Sequence, residues 1–120
     1  MTVHACQITD LHIRADPAGR SRGRDTHATL AGVLAAIAAE PTPDLVLATG
    51  DLVDDGSPVA YRRLRPLLDA VASPVHALAG NHDDTAAMAE HLAGGNVSLA
   101  TWVAAGAWRI VLLDTTVPGE

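Results

Sequence analysis

Short apolar runs alternate along the chain with longer segments in which apolar residues recur every three or four positions. A continuous apolar run bounded by turn-forming residues is typical of a strand buried on both faces. A run of this kind predicts a strand over residues 44–49, and shorter apolar segments predict strands over residues 3–9 and 74–79. Residues 97–103 and 107–114 predict two further strands, joined by a turn at residues 104–106.

Three longer segments have helical periodicity: residues 26–40, 57–71 and 84–93. In the first, the apolar positions fall on one face, with Asp25 as the expected N-cap and Pro41 as the stop. In the second, Pro66 lies within the periodic pattern. Because proline removes a backbone donor and clashes with the preceding turn, we expect a break or kink near residues 62–66.

Strands that alternate with helices predict an α/β fold with a largely parallel sheet. In such sheets, ligands bind beyond the carboxyl ends of the strands. The residues that directly follow each predicted strand are therefore the first candidates for a functional site.

Composition narrows the class of protein. The 120 residues are 48% hydrophobic, which suits one domain or part of one. There are 14 acidic residues against 8 basic ones, for a net charge of −6. An acidic chain without a basic stripe is a poor partner for nucleic acid or a membrane surface, so neither is expected.

Cellular location is predicted from what the sequence lacks. It has neither the segments of a secretory signal nor an apolar run of the ~18 residues that a membrane span requires, so a cytoplasmic protein is expected. The single Cys6 excludes an internal disulfide, and we expect a buried, unreactive thiol.

Polar residues follow three of the predicted strands. After the first come Asp10 and His12, which are two residues apart, so that in an extended backbone their side chains point the same way. A carboxylate and an imidazole aimed at one point form half of a site for Fe, Mn, Zn or Ni. The sequence therefore predicts metal ligands at this position.

The second and third strands are followed by Gly50-Asp51 and by Asn81-His82. A glycine lets the backbone turn sharply, and the two oxygens of one carboxylate can bridge two cations. Asn81 offers a carbonyl oxygen as a ligand. His82 beside it is free to donate a proton or to stabilise charge.

Each of these residues has a simpler interpretation when it is considered singly. Asp10, Asp51 and Asn81 could be helix N-caps or turn residues, and His12 could be a half-exposed loop residue. However, Asp-x-His, Gly-Asp-x-x-Asp-x-Gly and Gly-Asn-His-Asp each follow a predicted strand, in that order. Their shared context favours a common site over coincidence.

The three motifs resemble those of the calcineurin-like metallophosphoesterase superfamily, from about residue 3 onward. The resemblance implies a pair of β-sheets between helices (α/β/β/α), of which this chain would form the N-terminal half, with a mostly parallel first sheet. It implies that Asp10 and His12 bind a first metal, Asp51 bridges two metals, Asn81 binds the second, and His82 acts on the phosphate or the leaving group. Asp54 and Asp83 would orient the ligands or the histidine.

Within the superfamily, residues 51–65, 80–84 and 113–119 resemble bacterial class III cyclic-nucleotide phosphodiesterases. The resemblance implies hydrolysis of a small phosphoester such as cyclic AMP, with two divalent or trivalent ions, Fe, Mn or Zn. The oligomeric state stays open, with a homodimer as one alternative. Tyr61, Arg62 and Arg63 are expected to face solvent on the second helix.

Complete members of the superfamily continue further and add a loop histidine and a Gly-His-x-His pair. Residues 1–120 are therefore expected to be one metallophosphoesterase domain, truncated at its C-terminus after Pro118-Gly119-Glu120, which alone binds metal weakly and hydrolyses poorly. The remaining histidines lie away from strand ends and are not expected to substitute: His4, His27, His76 and His91. His76 is expected to be a core residue with a backbone partner.

Two other classes of function compete with the hydrolase. A metallophosphoesterase scaffold that has lost its metals and binds protein is the main alternative. A nucleotide-binding domain is weaker, because no glycine-rich phosphate loop follows a strand.

Overall fold

The fold is described by a computed structural model of residues 2–117, so the expectation about residues 118–120 lies outside the described part. Strands β1 (Ala5–Ile8), β2 (Leu45–Thr49), β3 (Val75–Leu78) and β4 (Val97–Ser98) form a parallel sheet in that order. The helices are α1 (Thr26–Ala38), α2 (Pro58–Asp69) and α3 (Thr85–His91), and β5 (Trp102–Ala105) with β6 (Trp108–Val111) forms an antiparallel hairpin. The predicted α/β class with a parallel first sheet is confirmed.

The three helices share one face of the parallel sheet. Each strand pairs with the next one along the chain. Because parallel crossovers are right-handed, steady progress in one direction across a sheet places every connecting helix on the same side. A single core forms there, with fully buried residues from the sheet and from α2 that include Val46, Val75, Tyr61, Leu64 and Leu68.

The opposite face of the sheet is only partly covered by the described residues. One row of paired positions on it runs Gln7, Leu47, His76 and Ser98. The prediction that His76 has a backbone partner is wrong, because its buried Nδ1 has no hydrogen-bond partner, and desolvation lowers the pKa of this imidazole.

The run 97–103 does not form the single strand predicted from it. Residues Val97–Ser98 pair with β3, whereas Trp102–Ala105 begins the separate hairpin with its turn at 106–107 rather than at 104–106. The apolar pattern alone does not indicate the residue at which a chain ends its pairing in one sheet and begins pairing in another. The hairpin leaves Trp102 and Trp108 more than half exposed.

Pro66 does not break α2, which is continuous over Pro58–Asp69. Buried residues anchor the helix on both sides of the proline, Leu64 before it and Leu68 after it, while the ring itself is exposed. Packing therefore outweighs the lost backbone hydrogen bond.

The expectation that Cys6 is buried is wrong. Cys6 is partly buried rather than buried, because β1 is an edge strand of the sheet. In the part of the chain that the structure describes, no helix has both the length and the apolar character needed to cross a bilayer.

Candidate metal centre

The segments that follow β1 and β2 stay hydrogen-bonded side by side beyond the strands. The amide of Asp10 donates to the carbonyl of Gly50 at 3.0 Å, and the amide of His12 donates to the carbonyl of Asp51 at 2.9 Å. Parallel strands end at one edge of a sheet, and this extra pairing carries the two segments on together. It places Asp10 and His12 directly beside Asp51.

The backbone at these residues is left-handed. Asp10, His12 and Asp51 have φ values of 56°, 46° and 48°, and Arg22 is the one other non-glycine residue with positive φ in residues 2–117. Each such residue costs of order ~1–3 kcal/mol and persists where the surrounding structure imposes it. The extended backbone assumed in the sequence argument for Asp10 and His12 is therefore wrong, although their side chains do converge.

Three ligand atoms meet at this edge of the sheet. Nε2 of His12 lies 3.6 Å from Oδ1 of Asp10 and 3.9 Å from Oδ2 of Asp51. All three atoms lie within 4.8 Å of one another. Two carboxylates and an imidazole at this spacing are a donor set suited to Mn, Fe or Zn.

Asn81 and His82 lie on the other side of the Asp51 carboxylate. With its amide nitrogen turned toward Asp51, Asn81 donates to the two carboxylate oxygens at 3.2 and 3.3 Å. The backbone amide of His82 donates to Oδ1 of Asp51 at 3.0 Å. A cleft of about 310 Å³ is lined by Asp51 and Asn81 together with Asp10 and Thr116.

The ring of His82 is exposed and is held from one side. Its Nδ1 lies 2.7 Å from the carbonyl oxygen of Asp54, to which it donates, so Nε2 faces away from that contact. This carbonyl raises the pKa of His82, and the negative charges of Asp51, Asp54 and Asp83 raise it further. The ring also packs edge-on against that of His12, with centroids 5.0 Å apart.

The second nitrogen of His12 faces Asp54. Nδ1 of His12 is buried and lies 3.3 Å from Oδ1 of Asp54, without good hydrogen-bond geometry. The other oxygen of Asp54 accepts from Nη1 of Arg14 at 2.6 Å. Asp54 thus lies between a cation and the imidazole, an arrangement that orients a ligating histidine. The sequence has no signal for the part played by Arg14.

Asp83 connects the loop after β2 to the loop after β3. Its carboxylate accepts from the amides of Leu52 at 3.1 Å, Val53 at 3.2 Å and Gly80 at 2.8 Å. It also accepts from the hydroxyl of Tyr61 at 2.8 Å.

Tyr61 does not face solvent as expected but is fully buried. Burial raises the pKa of its phenol. The signal for this was present in the sequence, because Tyr61, Leu64 and Leu68 stand at i, i+3 and i+7 on α2. Of its neighbours on the helix, Arg62 is exposed, whereas Arg63 is partly buried and donates to the carbonyl of Arg14.

Of the simpler interpretations, the helix N-cap is wrong, whereas Asn81 does lie in a turn and His12 in a partly exposed loop. The helix N-caps are Asp25, Ser57 and Asp84. None of Asp10, Asp51 and Asn81 caps a helix. Within residues 2–117, the groups of three or more clustered ligand atoms are Asp10–His12–Asp51 and His12–Asp54–His82. The other four histidines belong to neither group.

The residues present fit a metal centre by the chemistry of their donors. Asp10, His12 and Asp51 offer oxygen and nitrogen atoms to one point, and Asp51 has its second oxygen on the side of Asn81. Holding two carboxylates this close without a cation is unfavourable. Asp10, His12, Asp51 and Asn81 are therefore the residues that could hold metal.

Glycines allow the two loops to approach each other. A Cβ on Gly80 would lie 2.4 Å from both the amide nitrogen and Oδ1 of Asp51. We expect Gly80→Ala to displace Asp51, weaken metal binding and cost about 1–3 kcal/mol of folding stability. Thermal unfolding and equilibrium dialysis against Mn²⁺ would measure the two effects.

Gly32 provides the matched control, because it lies in α1 with nothing within 4 Å of a built Cβ. Gly32→Ala should stabilise the protein by roughly 0.5–1 kcal/mol and leave metal binding unchanged. Equal metal binding by the Gly80→Ala variant and the wild type would contradict the close approach described here.

Comparison with known proteins agrees with this geometry. The family model described as calcineurin-like phosphoesterase matches residues 4–116. The chain belongs to the calcineurin-like phosphoesterase family. This membership confirms the resemblance inferred from the Asp-x-His, Gly-Asp-x-x-Asp-x-Gly and Gly-Asn-His-Asp motifs, and metal-dependent hydrolysis is the chemistry of the family.

Several relatives of this chain are cyclic-nucleotide phosphodiesterases by name. The chain is 41% identical over 114 residues to the 3′,5′-cyclic adenosine monophosphate phosphodiesterase CpdA of Pseudomonas aeruginosa, covering 94% of the chain and 42% of the relative. It is 37% identical over 119 residues to CpdA of Escherichia coli, covering 98% of the chain and 43% of the relative.

A third relative is a cAMP/cGMP dual specificity phosphodiesterase of Mycobacterium tuberculosis, 40% identical over 85 residues that cover 65% of the chain and 27% of the relative. The chain thus spans less than half the length of each of these three relatives.

Proposed function

We propose that the protein is a metal-dependent phosphodiesterase that hydrolyses 3′,5′-cyclic nucleotides, with cyclic AMP as the first substrate to test. The observation that carries the proposal is the convergence of Asp10, His12 and Asp51 at the carboxyl ends of β1 and β2. Asn81 and His82 join them from the end of β3. Support for the substrate class comes from the names of the relatives.

Each residue has a separate part in the proposal. Asp10 and His12 would hold one ion, and Asn81 would hold a second, because rotation of its amide by 180° exchanges a donor for an oxygen ligand. Asp51 would serve both ions. Its Oδ2 faces His12 while its Oδ1 faces the His82 amide, so its oxygens already point to different sides.

When bound, the ions polarise the phosphoryl oxygens and lower the pKa of a bound water toward ~7. His82 then acts on the leaving group. Its Nδ1 is held by the Asp54 carbonyl, which leaves Nε2 on the exposed side of the ring to donate a proton to the departing oxygen. Asp54 and Arg14 keep the His12 ring oriented.

The mixed oxygen and nitrogen donors favour Mn, Fe or Zn over Mg or Ca, which prefer oxygen alone. The proposed substrate is a small anionic phosphodiester. A nucleic-acid duplex is not proposed, because the net charge of −6 disfavours binding to it.

The test uses the complete natural protein that contains this chain. Purified protein would be analysed for bound metals and assayed with 3′,5′-cyclic AMP and with bis-p-nitrophenyl phosphate, before and after chelation. We expect about two transition-metal ions per chain. Hydrolysis of both substrates should be lost with EDTA and restored by Mn²⁺.

The outcomes separate the hydrolase from its main alternative. A folded protein that binds no metal and hydrolyses neither substrate would refute the proposal and favour a protein-binding scaffold. Turnover of the aryl diester without turnover of cyclic AMP would keep the phosphodiesterase and exclude the cyclic nucleotide as substrate.

A further inference from the structure

Tyr61, the one tyrosine of the sequence, is buried and lies at the junction of the loops that carry Asp51 and Asn81. It donates to Oδ1 of Asp83 at 2.8 Å and accepts from the amide of Asp84 at 3.0 Å. Both groups belong to the loop after β3. The hydroxyl thus ties helix α2 to the segment that contains Asn81 and His82.

Asp83 in turn reaches the loop after β2. It accepts the amides of Leu52 and Val53, which follow Asp51 directly, and the amide of Gly80, which precedes Asn81. One carboxylate therefore joins the backbone next to Asp51 to the backbone next to Asn81. Without the phenol, this carboxylate would lose its one side-chain donor among the described residues.

We propose that Tyr61 is a positioning residue, which fixes the loop of Asp51 relative to the loop of Asn81 by holding the Asp83 carboxylate. The role in metal binding rests on the proposed function, whereas the effect on loop geometry does not. Tyr61 is fully buried and lies behind the loops, so it does not touch the reacting atoms. Its influence on the ions passes through Asp83 and through the amide of Asp84.

The first test needs no metal. In the complete natural protein, freed of metal, Tyr61→Phe should raise hydrogen exchange at the amides of Leu52, Val53, Gly80 and Asp84 by about 10-fold or more. Amides inside β2, such as that of Leu47, should keep their wild-type rates. Phenylalanine retains the ring and its packing, so a selective change at these four amides reports the lost hydroxyl.

The second test measures affinity for Mn²⁺ by titration calorimetry. Partners that orient metal ligands are typically worth about 10–100-fold in affinity, and Tyr61→Phe should weaken binding by that factor. In an Asp83→Asn background the same substitution should have a much smaller effect, because the two residues act as one unit.

The control is Leu68→Ala, which truncates a fully buried residue of α2 seven positions beyond Tyr61. It should lower the melting temperature and leave the affinity for Mn²⁺ unchanged. Hydrogen exchange at the four amides should not rise relative to exchange inside β2. Wild-type exchange at the four amides in Tyr61→Phe would overturn the proposal, as would equal loss of affinity in Leu68→Ala. If the wild-type protein binds no Mn²⁺, the proposed function fails and the exchange rates alone decide the role of Tyr61.

Discussion

Replacement of Asp51 by asparagine is expected to remove hydrolysis of cyclic AMP almost completely. The carboxylate faces His12 with one oxygen and the His82 amide with the other, and asparagine keeps this shape while removing the charge that two cations would share. If the shared charge is worth about 4 kcal/mol in the transition state, kcat/KM falls ~10³-fold. Metal content per chain should fall as well, and both quantities are measured on the purified variant.

Asp55→Asn is the matched control for Asp51→Asn. Asp55 lies in the same loop, is exposed, and accepts only a local hydrogen bond from the Ser57 amide at 3.0 Å, which asparagine can also accept. Its activity and metal content should stay close to wild type. An Asp51→Asn protein that retained both ions and full turnover would show that Asp51 is not the shared ligand.

Replacement of His82 by alanine is expected to lower turnover of cyclic AMP by ~10²–10⁴-fold while the metal content stays the same. The ring is exposed and held through Nδ1 by the Asp54 carbonyl, which leaves Nε2 available to the leaving oxygen. An aryl diester needs little help from an acid because its leaving group is already a weak base. The loss on bis-p-nitrophenyl phosphate should therefore be much smaller.

Metal content decides between two roles for His82. One nitrogen of His82 clusters with His12 and Asp54 within 4.8 Å, so the ring could also serve as a ligand. Loss of metal in His82→Ala, together with equal losses on both substrates, would assign it that second role. His4→Ala, at an exposed histidine before β1, controls for removal of an imidazole elsewhere.

The grouping of the site residues followed from simple topology. Asp10, Asp51 and Asn81 each come just after an apolar run, and parallel strands present their carboxyl ends at one edge. The strand order β1-β2-β3 makes the three ends neighbours. No detail of side-chain packing is needed for this step, so the sequence was sufficient to place these residues together.

The backbone geometry that brings them into contact did not follow from the sequence. The argument for Asp10 and His12 assumed an extended chain, yet both residues are left-handed. Their conformation is imposed by hydrogen bonds to the backbone of Gly50 and Asp51, which are about forty residues away in sequence. Local preference disfavours such a conformation, and only long-range pairing maintains it.

The hydrogen-bond partner of Tyr61 and the error at residues 97–103 have a related explanation. The periodicity of α2 indicates that Tyr61 is buried, but it does not indicate the partner Asp83, which lies 22 residues further on. The apolar run 97–103 carries the pattern of one strand, but its two ends pair with different sheets. In both cases a residue's environment is set by segments that are distant in sequence.

Hydrophobic periodicity was thus enough to establish an α/β chain with a parallel sheet. The polar residues after each apolar run were enough to establish a cluster of candidate ligands at one edge of that sheet. Both inferences depend on short-range spacing in the sequence. The left-handed turns at Asp10, His12 and Asp51, and the buried link from Tyr61 through Asp83 to both loops, were decided by the tertiary structure alone. These features depend on hydrogen bonds between distant segments, which form only when the strands and helices have packed together.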